Sequence, residues 1–110
     1  MNKYKNRKVV IDGIEFDSQK EGTRYCELKL MQKAKIISNL QLQPKFVLQE
    51  GFKKKGKTYQ AITYIADFMY FDNIEKRTIV EDTKGMQTEV FRIKHKLFEY
   101  KYPDLELKIL

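Results

Sequence analysis

The chain has 110 residues, which is enough for one domain with a single hydrophobic core and too few for two. Hydrophobic residues make up 42% of it, and seven Phe and seven Tyr indicate a folded globule rather than a disordered chain. No apolar run is long enough for a membrane span and the N-terminus has no apolar signal core, so we expect a cytoplasmic protein with no membrane partner. The single cysteine, Cys26, excludes an internal disulfide and lies in an apolar helical pattern, which predicts a small core residue.

The net charge is +7, from 22 basic and 15 acidic residues, and basic residues concentrate in two short segments. Residues 1–8 are the first segment and predict a flexible basic arm. The second surrounds Gly51 and Gly56, in what we interpret as a loop, and contains Lys53, Lys54, Lys55 and Lys57. Lysines with aromatic neighbours suit contact with a phosphate backbone, so nucleic acid is the favoured partner. A solvated charged surface is the alternative.

A hairpin opens the predicted series of elements, and a helix, three strands, a second helix and a final strand follow it. The predicted bounds are residues 8–16 for the hairpin, 18–35 and 88–101 for the helices, and 44–49, 64–71, 78–85 and 105–109 for the strands. Asp12-Gly13 is a hairpin-turn signal, the segment from Ser18 to Glu21 has the pattern of a capping box, and Pro103 ends the second helix. The helix between the last two strands implies a parallel crossover in an otherwise mixed sheet, which is an α+β (α/β) fold.

Two carboxylates and a lysine fall at adjacent positions of the second and third strands. Side chains alternate along a strand, so Asp82 and Lys84 share one face of residues 78–85 while Glu81 points to the other. If residues 64–71 pair beside that strand, Asp67 can lie next to Asp82. Close carboxylates repel each other unless a cation lies between them, and hard oxygen ligands favour Mg²⁺ or Mn²⁺. The pattern suits metal-assisted phosphodiester cleavage, with a cross-strand ion pair at a sheet edge as the alternative.

Four further residues stand out against the pattern of their elements. Glu21 heads the buried face of the first helix, where local capping is an equally good explanation. Lys94 lies within the apolar stripe of the second helix, so it either reaches to the surface or faces a polar site. Gln87 and Thr88 follow the turn after the third strand and are placed to touch a phosphate, although helix capping is the favoured role of Thr88.

The order of these motifs resembles the PD-(D/E)xK nuclease superfamily. The matching positions are Glu21 on the first helix, Asp67 on the second strand and Asp82-x-Lys84 on the third. More narrowly, residues 16–21, 64–71, 80–85 and 88–98 look like a family of small phage-encoded proteins of that superfamily, and residues 102–107 resemble the Holliday-junction-resolving endonuclease I of phages. The resemblance covers the chain from about Phe16 onward. It implies a restriction-endonuclease-like αβββαβ core, a mixed sheet flanked by two helices, to which the N-terminal hairpin is added.

The resemblance also implies a catalytic site, made of Glu21, Asp67, Asp82 and Lys84. In such a site Asp67 and Asp82 would hold one or two Mg²⁺ or Mn²⁺ ions, with the carbonyl oxygen of Thr83 as a further ligand. Glu21 would complete the second-metal side or orient a water. Lys84 would position the attacking water and stabilise charge in the transition state.

Two further positions belong to the description of this implied site. Many members of the superfamily carry Glu at the middle position, so Glu81 is the alternative ligand if the strand bulges, whereas strand parity favours Asp82. Lys94 is a candidate phosphate contact on the second helix.

The function implied by the resemblance is a metal-dependent DNA endonuclease with one nuclease domain spanning residues 1–110. We expect it to act on branched DNA in phage recombination or replication, encoded by a phage or prophage in a bacterial host. Resolving a four-way junction takes two symmetric cuts, which predicts a homodimer with the opening hairpin as a contact. The alternatives are a nicking or restriction-like nuclease and a non-catalytic nucleic-acid-binding protein on the same fold.

Overall fold

Ten strands and two helices are present in the computed structural model, which describes residues 7–83 and 87–110. In chain order they are β1 (Val9–Ile11), β2 (Ile14–Phe16), α1 (Gln19–Lys33), β3 (Ile37–Leu42), β4 (Lys45–Gln49), β5 (Phe52–Lys54), β6 (Lys57–Tyr59), β7 (Ile62–Ile65), β8 (Phe68–Asp72), β9 (Arg77–Asp82), α2 (Glu89–Lys101) and β10 (Glu106–Ile109). The structure is an α+β fold with a mixed sheet, which confirms the predicted class. In this part of the chain neither helix is long and apolar enough to cross a membrane.

The central sheet has four strands in the order β10–β9–β8–β3. Strands β3, β8 and β9 pair antiparallel, and β10 pairs parallel with β9 after the crossover through α2. The parallel crossover predicted from the sequence is thereby confirmed. The remaining strands form three antiparallel pairs: β1 with β2, β4 with β7, and β5 with β6.

Hydrophobic clusters cover both faces of the central sheet. The first contains Phe16, Tyr25, Leu28, Ile37, Phe68, Tyr70 and Ile79. The second contains Phe46, Leu48, Tyr64, Ala66, Val80, Phe91 and Phe98. The consecutive residues Ile79 and Val80 fall in different clusters, so β9 is buried on both faces, against α1 on one side and α2 on the other.

Residues 64–71, predicted as one strand, divide between two ladders. Strand β7 pairs with β4 up to Ile65, and the amide of Ala66 still donates to the carbonyl oxygen of Pro44, 3.1 Å away. The next amide, that of Asp67, donates instead to the carbonyl oxygen of Glu81 at 3.0 Å. The chain therefore changes hydrogen-bond partners between Ala66 and Asp67, and Asp67 lies where the β4–β7 ladder and the central sheet diverge.

Strand β3 is missing from the predicted elements, and residues 44–49 form β4 of the separate ladder rather than a strand of the main sheet. The register of β3 shifts between Ser38 and Gln41, where Asn39 has a positive φ of 56°, so the polar–apolar alternation that signals a strand is interrupted. Pro44 then ends the pairing because it has no amide hydrogen to donate.

Two predictions of local structure are wrong. The basic segment predicted as a loop is the β5–β6 hairpin, whose turn residues Lys55 and Gly56 have φ values of 52° and 76°. Two consecutive positive φ values are typical of the tight turn that suits paired strands. Cys26, predicted as a core residue, is exposed, because the buried stripe of α1 runs through Tyr25 and Leu28 and leaves Cys26 about 100° away around the helix.

Helix α1 approaches the β1–β2 hairpin most closely at Gly22. A Cβ atom there would lie 2.7 Å from Cγ2 of Val9 and 3.0 Å from Cδ1 of Ile11. The hairpin therefore packs directly on the helix backbone, in a contact that only glycine permits.

Aromatic residues pack helix α2 against the second hydrophobic cluster. Phe91 and Phe98 are buried, whereas Val90 and Ile93 are exposed. The ring of Phe98 meets Phe46 edge-on with a centroid distance of 5.0 Å, which ties the helix to β4.

Replacement of Phe98 by alanine should therefore loosen α2 from the sheet. We expect the free energy of unfolding to fall by about 3–5 kcal/mol in Phe98→Ala, measured by urea denaturation, because a buried ring is lost and a cavity remains. Tyr100→Ala is the control on the same helix: its ring is 88% exposed, so it should change stability by no more than about 0.5 kcal/mol. Equal effects of the two variants would contradict this packing.

Candidate active site

Three of the four residues predicted for the catalytic site meet at the end of β9. Glu21 comes from the first turn of α1, Asp67 from the divergence of the two ladders, and Asp82 from the last position of β9. The carboxyl group of Asp67 lies close enough to those of Glu21 and Asp82 to interact with both. Glu21 and Asp82 are almost fully buried. Lys84, the fourth predicted residue, lies outside the described residues, as do residues 1–6 of the predicted basic arm.

Asp67 is held by the backbone and side chain of Thr83. Its Oδ2 accepts hydrogen bonds from the Thr83 amide at 2.7 Å and from the Thr83 hydroxyl at 2.6 Å. Burial alone would raise the pKa of Asp67, but the hydrogen bonds from Glu21 and Thr83 outweigh it and lower this pKa below its usual value. Asp67 is therefore ionised near neutral pH, and its orientation is fixed.

Glu21 holds the proton of the acidic group. Burial, followed by its hydrogen bond with Asp67, raises the pKa of Glu21 from 4.5 to about 7. Its Oε1 also accepts from the amide of Asp17 at 3.3 Å, and its own amide donates to Oγ of Ser18 at 3.1 Å. Glu21 thus belongs both to the capping structure at the start of α1 and to the carboxylate group, so local capping is not its only contact.

Asp82 is paired with a tyrosine on the α2 side of the sheet. The hydroxyl of Tyr64 donates a hydrogen bond to Oδ2 of Asp82. Burial, and then the hydrogen bond to Asp82, raise the pKa of Tyr64 above its usual value, so the phenol keeps its proton and remains a donor.

Glu81 lies on the opposite face of β9, where both of its carboxylate oxygens accept hydrogen bonds. Arg24 donates from Nε to Oε1 at 2.8 Å and from Nη2 to Oε2 at 2.7 Å, and the hydroxyl of Tyr70 donates to Oε2. The pairing of β8 with β9 continues in regular register from Phe68↔Glu81 onward. Strand parity therefore holds, and Asp82 rather than Glu81 joins Asp67.

The partners of these carboxylates were not predicted as site residues. They are Tyr64, Arg24 and Tyr70. Arg24 lies three residues after Glu21, which places both on neighbouring positions of one helix face, and this spacing was the available signal. The hydroxyl positions of Tyr64 and Tyr70 depend on which strands pair, and that pairing is not visible in the sequence.

Open clefts surround the carboxylate group. A cavity of about 250 Å³ is lined by Glu21 and Asp67 together with Phe16 and Leu42. A second cleft, of about 330 Å³, lies between β7 and α2 and is lined by Tyr64, Thr88 and Lys94 among others. A third, of about 460 Å³, is lined by Thr83, Lys20 and Arg24. Of these three, the cavity of about 250 Å³ is the one lined by carboxylates of the site.

The remaining predicted contacts are distributed differently. Lys94 is half-buried on the wall of the β7–α2 cleft, which agrees with a position facing a polar site. Gln87 is exposed directly before Thr88, and Oγ1 of Thr88 accepts from the amide of Phe91 at 3.0 Å, so the capping role of Thr88 is confirmed. The four lysines from 53 to 57 lie beyond the Gln49–Ile62 end of the β4–β7 ladder, away from Asp67, and belong to a separate surface.

Metal ligation is not preformed in the described residues. Among residues 7–83 and 87–110, no three His, Cys, Asp or Glu side chains are grouped so that they could hold an ion as they stand. The carboxyl group of Asp67 instead interacts with Glu21 on one side and with Asp82 on the other, and the interaction with Asp67 contributes to the raised pKa of Glu21. The predicted role of the Thr83 carbonyl oxygen as a ligand stays a prediction.

Loss of Arg24 should destabilise the protein strongly. The Glu81 side chain is 1% exposed, so Arg24→Ala would leave a buried carboxylate without its ionic partner and lower the free energy of unfolding by about 3–5 kcal/mol. Lys29→Ala, an exposed position on the same helix, is the control. The double variant Arg24→Met, Glu81→Leu should recover most of the loss in urea denaturation. Failure to recover would show that the cost does not come from the unpaired charge.

The raised pKa of Glu21 predicts a pH dependence of stability. Because its folded-state pKa of about 7 lies above its ordinary value of 4.5, Glu21 stabilises the fold fully below pH 4.5, and this contribution is lost as pH rises through 7. Glu21→Gln keeps a hydrogen-bond donor toward Asp67 and cannot ionise. Its Tm relative to that of the wild type, measured in EDTA, should therefore increase between about pH 5 and pH 8. Glu50→Gln, at an exposed position, should show no such trend.

Comparisons with known proteins gave one result. No curated protein and no solved structure matches this chain. A family model described as "Protein of unknown function (DUF1064)" matches residues 1–110, which is the full length of the sequence. The chain therefore belongs to the DUF1064 family.

Proposed function

We propose that this protein is a metal-dependent endonuclease that hydrolyses phosphodiester bonds of DNA. The observation that carries the proposal is the contact between Glu21, Asp67 and Asp82 at the end of β9, where buried carboxyl groups converge beside open clefts. A cross-strand ion pair at the sheet edge is the structural alternative, and Lys84, the cation that follows Asp82 on the chain, lies outside the described residues.

The donor chemistry of the site fits a hard divalent cation. Carboxylate oxygens are the ligands that Mg²⁺ and Mn²⁺ prefer, and a cation can take the place of the proton that now separates Glu21 from Asp67. Asp67 and Asp82 would hold one or two ions, with Glu21 and the Thr83 carbonyl oxygen as further ligands. The adjoining cavity of about 250 Å³ leaves room for several waters. A bound ion supplies polarisation of a phosphoryl oxygen and a more acidic water.

The chain's own residues prepare this chemistry. Thr83 fixes the orientation of Asp67 through two hydrogen bonds, and Tyr64 fixes that of Asp82, so neither carboxylate has to be ordered when substrate binds. Glu21, with a pKa of about 7, is able to accept or release a proton near neutral pH. Lys94, on the wall of the β7–α2 cleft, is placed for contact with a phosphate. Lys84 keeps its predicted role of positioning water and stabilising charge.

DNA is the proposed substrate, and branched DNA is the proposed form of it. The net charge of +7 favours a polyanionic partner, since phosphate contacts dominate the affinity of nucleic-acid-binding proteins. The selectivity for branched DNA, the homodimer and the setting in phage or prophage DNA metabolism of a bacterial cell rest on the resemblance to phage junction-resolving nucleases.

Cleavage assays with site variants test the proposal. We expect wild-type protein to cut a labelled four-way junction with Mg²⁺ or Mn²⁺ and not with EDTA, in preference to a matched linear duplex or a single strand. Asp67→Asn, Asp82→Asn and Lys84→Ala should each lower the rate by more than about 100-fold, because even the partners of metal ligands affect activity 10–100-fold. Asp104→Asn is the matched control. Asp104 is exposed and lies before the first residue of β10, whereas Asp82 pairs with Ile109 at the last residue of that strand.

Binding and folding controls separate the alternatives. Each variant should bind the junction in EDTA as the wild type does and should keep its urea transition, because the substitutions remove charge rather than packing. Loss of folding in parallel with loss of cleavage would favour a purely structural role for these carboxylates. Junction binding by the wild type without cleavage under any metal would identify a nucleic-acid-binding protein instead.

A further inference from the structure

The β5–β6 hairpin, from Phe52 to Tyr59, forms an arm that does not pack against the hydrophobic core. All six of its strand residues are exposed, and none of them belongs to either hydrophobic cluster. A two-stranded hairpin is at best marginally stable in water on its own. The arm follows the β4–β7 ladder at the Gln49–Ile62 end, so it is attached to the fold through that ladder.

Aromatic rings and lysines share one face of the arm. Phe52 pairs across the hairpin with Tyr59, and Lys54 pairs with Lys57, so these four side chains lie on the same face. The two rings are stacked, with centroids 4.7 Å apart and an interplanar angle of 9°. Nζ of Lys57 lies 5.1 Å from the centroid of the Tyr59 ring, which leaves the Phe52 side of the stack more open. Phe52 is 46% exposed and Tyr59 38% exposed.

The charge of the arm is unbalanced. Four lysines and no carboxylate lie between Gly51 and Ala61. Lys54 and Lys57 are directly opposite each other, and like charges at such positions destabilise a hairpin. The repulsion between these lysines costs stability in the free protein, and the exposed ring faces leave apolar surface in contact with water. A polyanion with planar groups would compensate both features at once, because phosphates neutralise the lysines and bases cover the rings.

We propose that this arm binds nucleic acid with unpaired bases, with a base stacked on the exposed face of the Phe52–Tyr59 pair and the lysines on the adjacent phosphates. Bases within a duplex have both faces covered by their neighbours, so a stacking surface selects gaps, flaps and open branch points. The inference rests on the proposed nuclease function and extends it, because it names unpaired bases as the substrate feature that the arm binds at a distance from the carboxylates.

The ladder sets where that feature lies. Ile62, at the base of the arm, lies five residues before Asp67, which spans roughly 17 Å at about 3.3 Å per extended residue; Tyr59 lies three residues further away and adds up to about 10 Å. With a rise of 3.4 Å per nucleotide, the unpaired bases would lie on the order of five to eight nucleotides from the cut.

Binding measurements on an inactive protein test the inference. The probes are a labelled linear duplex and the same duplex with a short single-stranded gap, titrated by fluorescence anisotropy in EDTA with Asp67→Asn as the parent protein. Phe52→Leu with Tyr59→Leu should weaken binding of the gapped duplex about 5- to 150-fold, since stacking of one base is worth 1–3 kcal/mol, and should leave the paired duplex unchanged. Tyr100→Leu, an exposed aromatic position outside the arm, should change neither affinity.

Replacement of the lysines should change a different quantity, the salt dependence of binding. Lys54→Gln with Lys57→Gln should weaken binding of both probes and reduce the slope of log K against log[salt] by roughly 1.4–1.8, as expected for two lost phosphate contacts. A gapped RNA of the same sequence, titrated in parallel, shows whether DNA or RNA is bound; a gap-specific loss in the leucine variant supports the inference with either.

Other outcomes overturn the inference. It fails if the leucine variant binds gapped duplex as its parent does, or if both probes weaken equally, because the rings would then only stabilise the hairpin. It also fails if the arm variants lose binding to anionic lipid vesicles and not to nucleic acid. The result is independent of cleavage: a wild-type protein that cuts nothing yet loses gap binding in the leucine variant would refute the nuclease proposal and keep this one.

Discussion

Two consecutive buried carboxylates at the end of β9 impose the constraint on which the rest of the structure depends. Glu81 and Asp82 point to opposite faces of the sheet, and a buried carboxylate is tolerated only when donors lie within reach. The donors come from three separate elements: Arg24 from α1, Tyr70 from β8 and Tyr64 from β7. Satisfying these two charges therefore fixes α1, the central sheet and the β4–β7 ladder relative to one another.

Structural and chemical roles are divided between the two faces of β9. On the α1 face Glu81 is neutralised by a bidentate arginine, which leaves it little capacity for a ligand. On the other face Asp82 accepts a hydrogen bond from the phenol of Tyr64, and its carboxyl group interacts with that of Asp67. The β4–β7 ladder leads from this group to the β5–β6 hairpin, and a paired ladder is stiffer than a single chain. The distance between the two surfaces is thus set by the fold.

The sequence predicts local elements and strand parity better than it predicts partners. Both helices, the opening hairpin, the parallel crossover and the choice of Asp82 over Glu81 follow from periodicity and turn chemistry. Strand β3 does not, because its bulge at Asn39 breaks the alternation. The change of ladder at Asp67 and the donors Arg24 and Tyr64 depend on tertiary pairing. The exposure of Cys26 has the same cause. Apolar residues of α1 can be grouped into more than one stripe, and packing in the folded protein decides which stripe is buried.

The missing side chain at Gly22 links the hydration of the site to the position of the N-terminal hairpin. Residues 14–16 of the hairpin line the same cavity as Glu21 and Asp67, and Gly22 follows Glu21 on the helix. A side chain at position 22 would move the hairpin outward and admit water to the Glu21 carboxyl group. Rehydration would return this group toward the behaviour of an ordinary surface acid. One hydrogen atom in place of a methyl group thereby keeps the hairpin close enough to bury Glu21, and this burial raises the pKa of Glu21 to about 7.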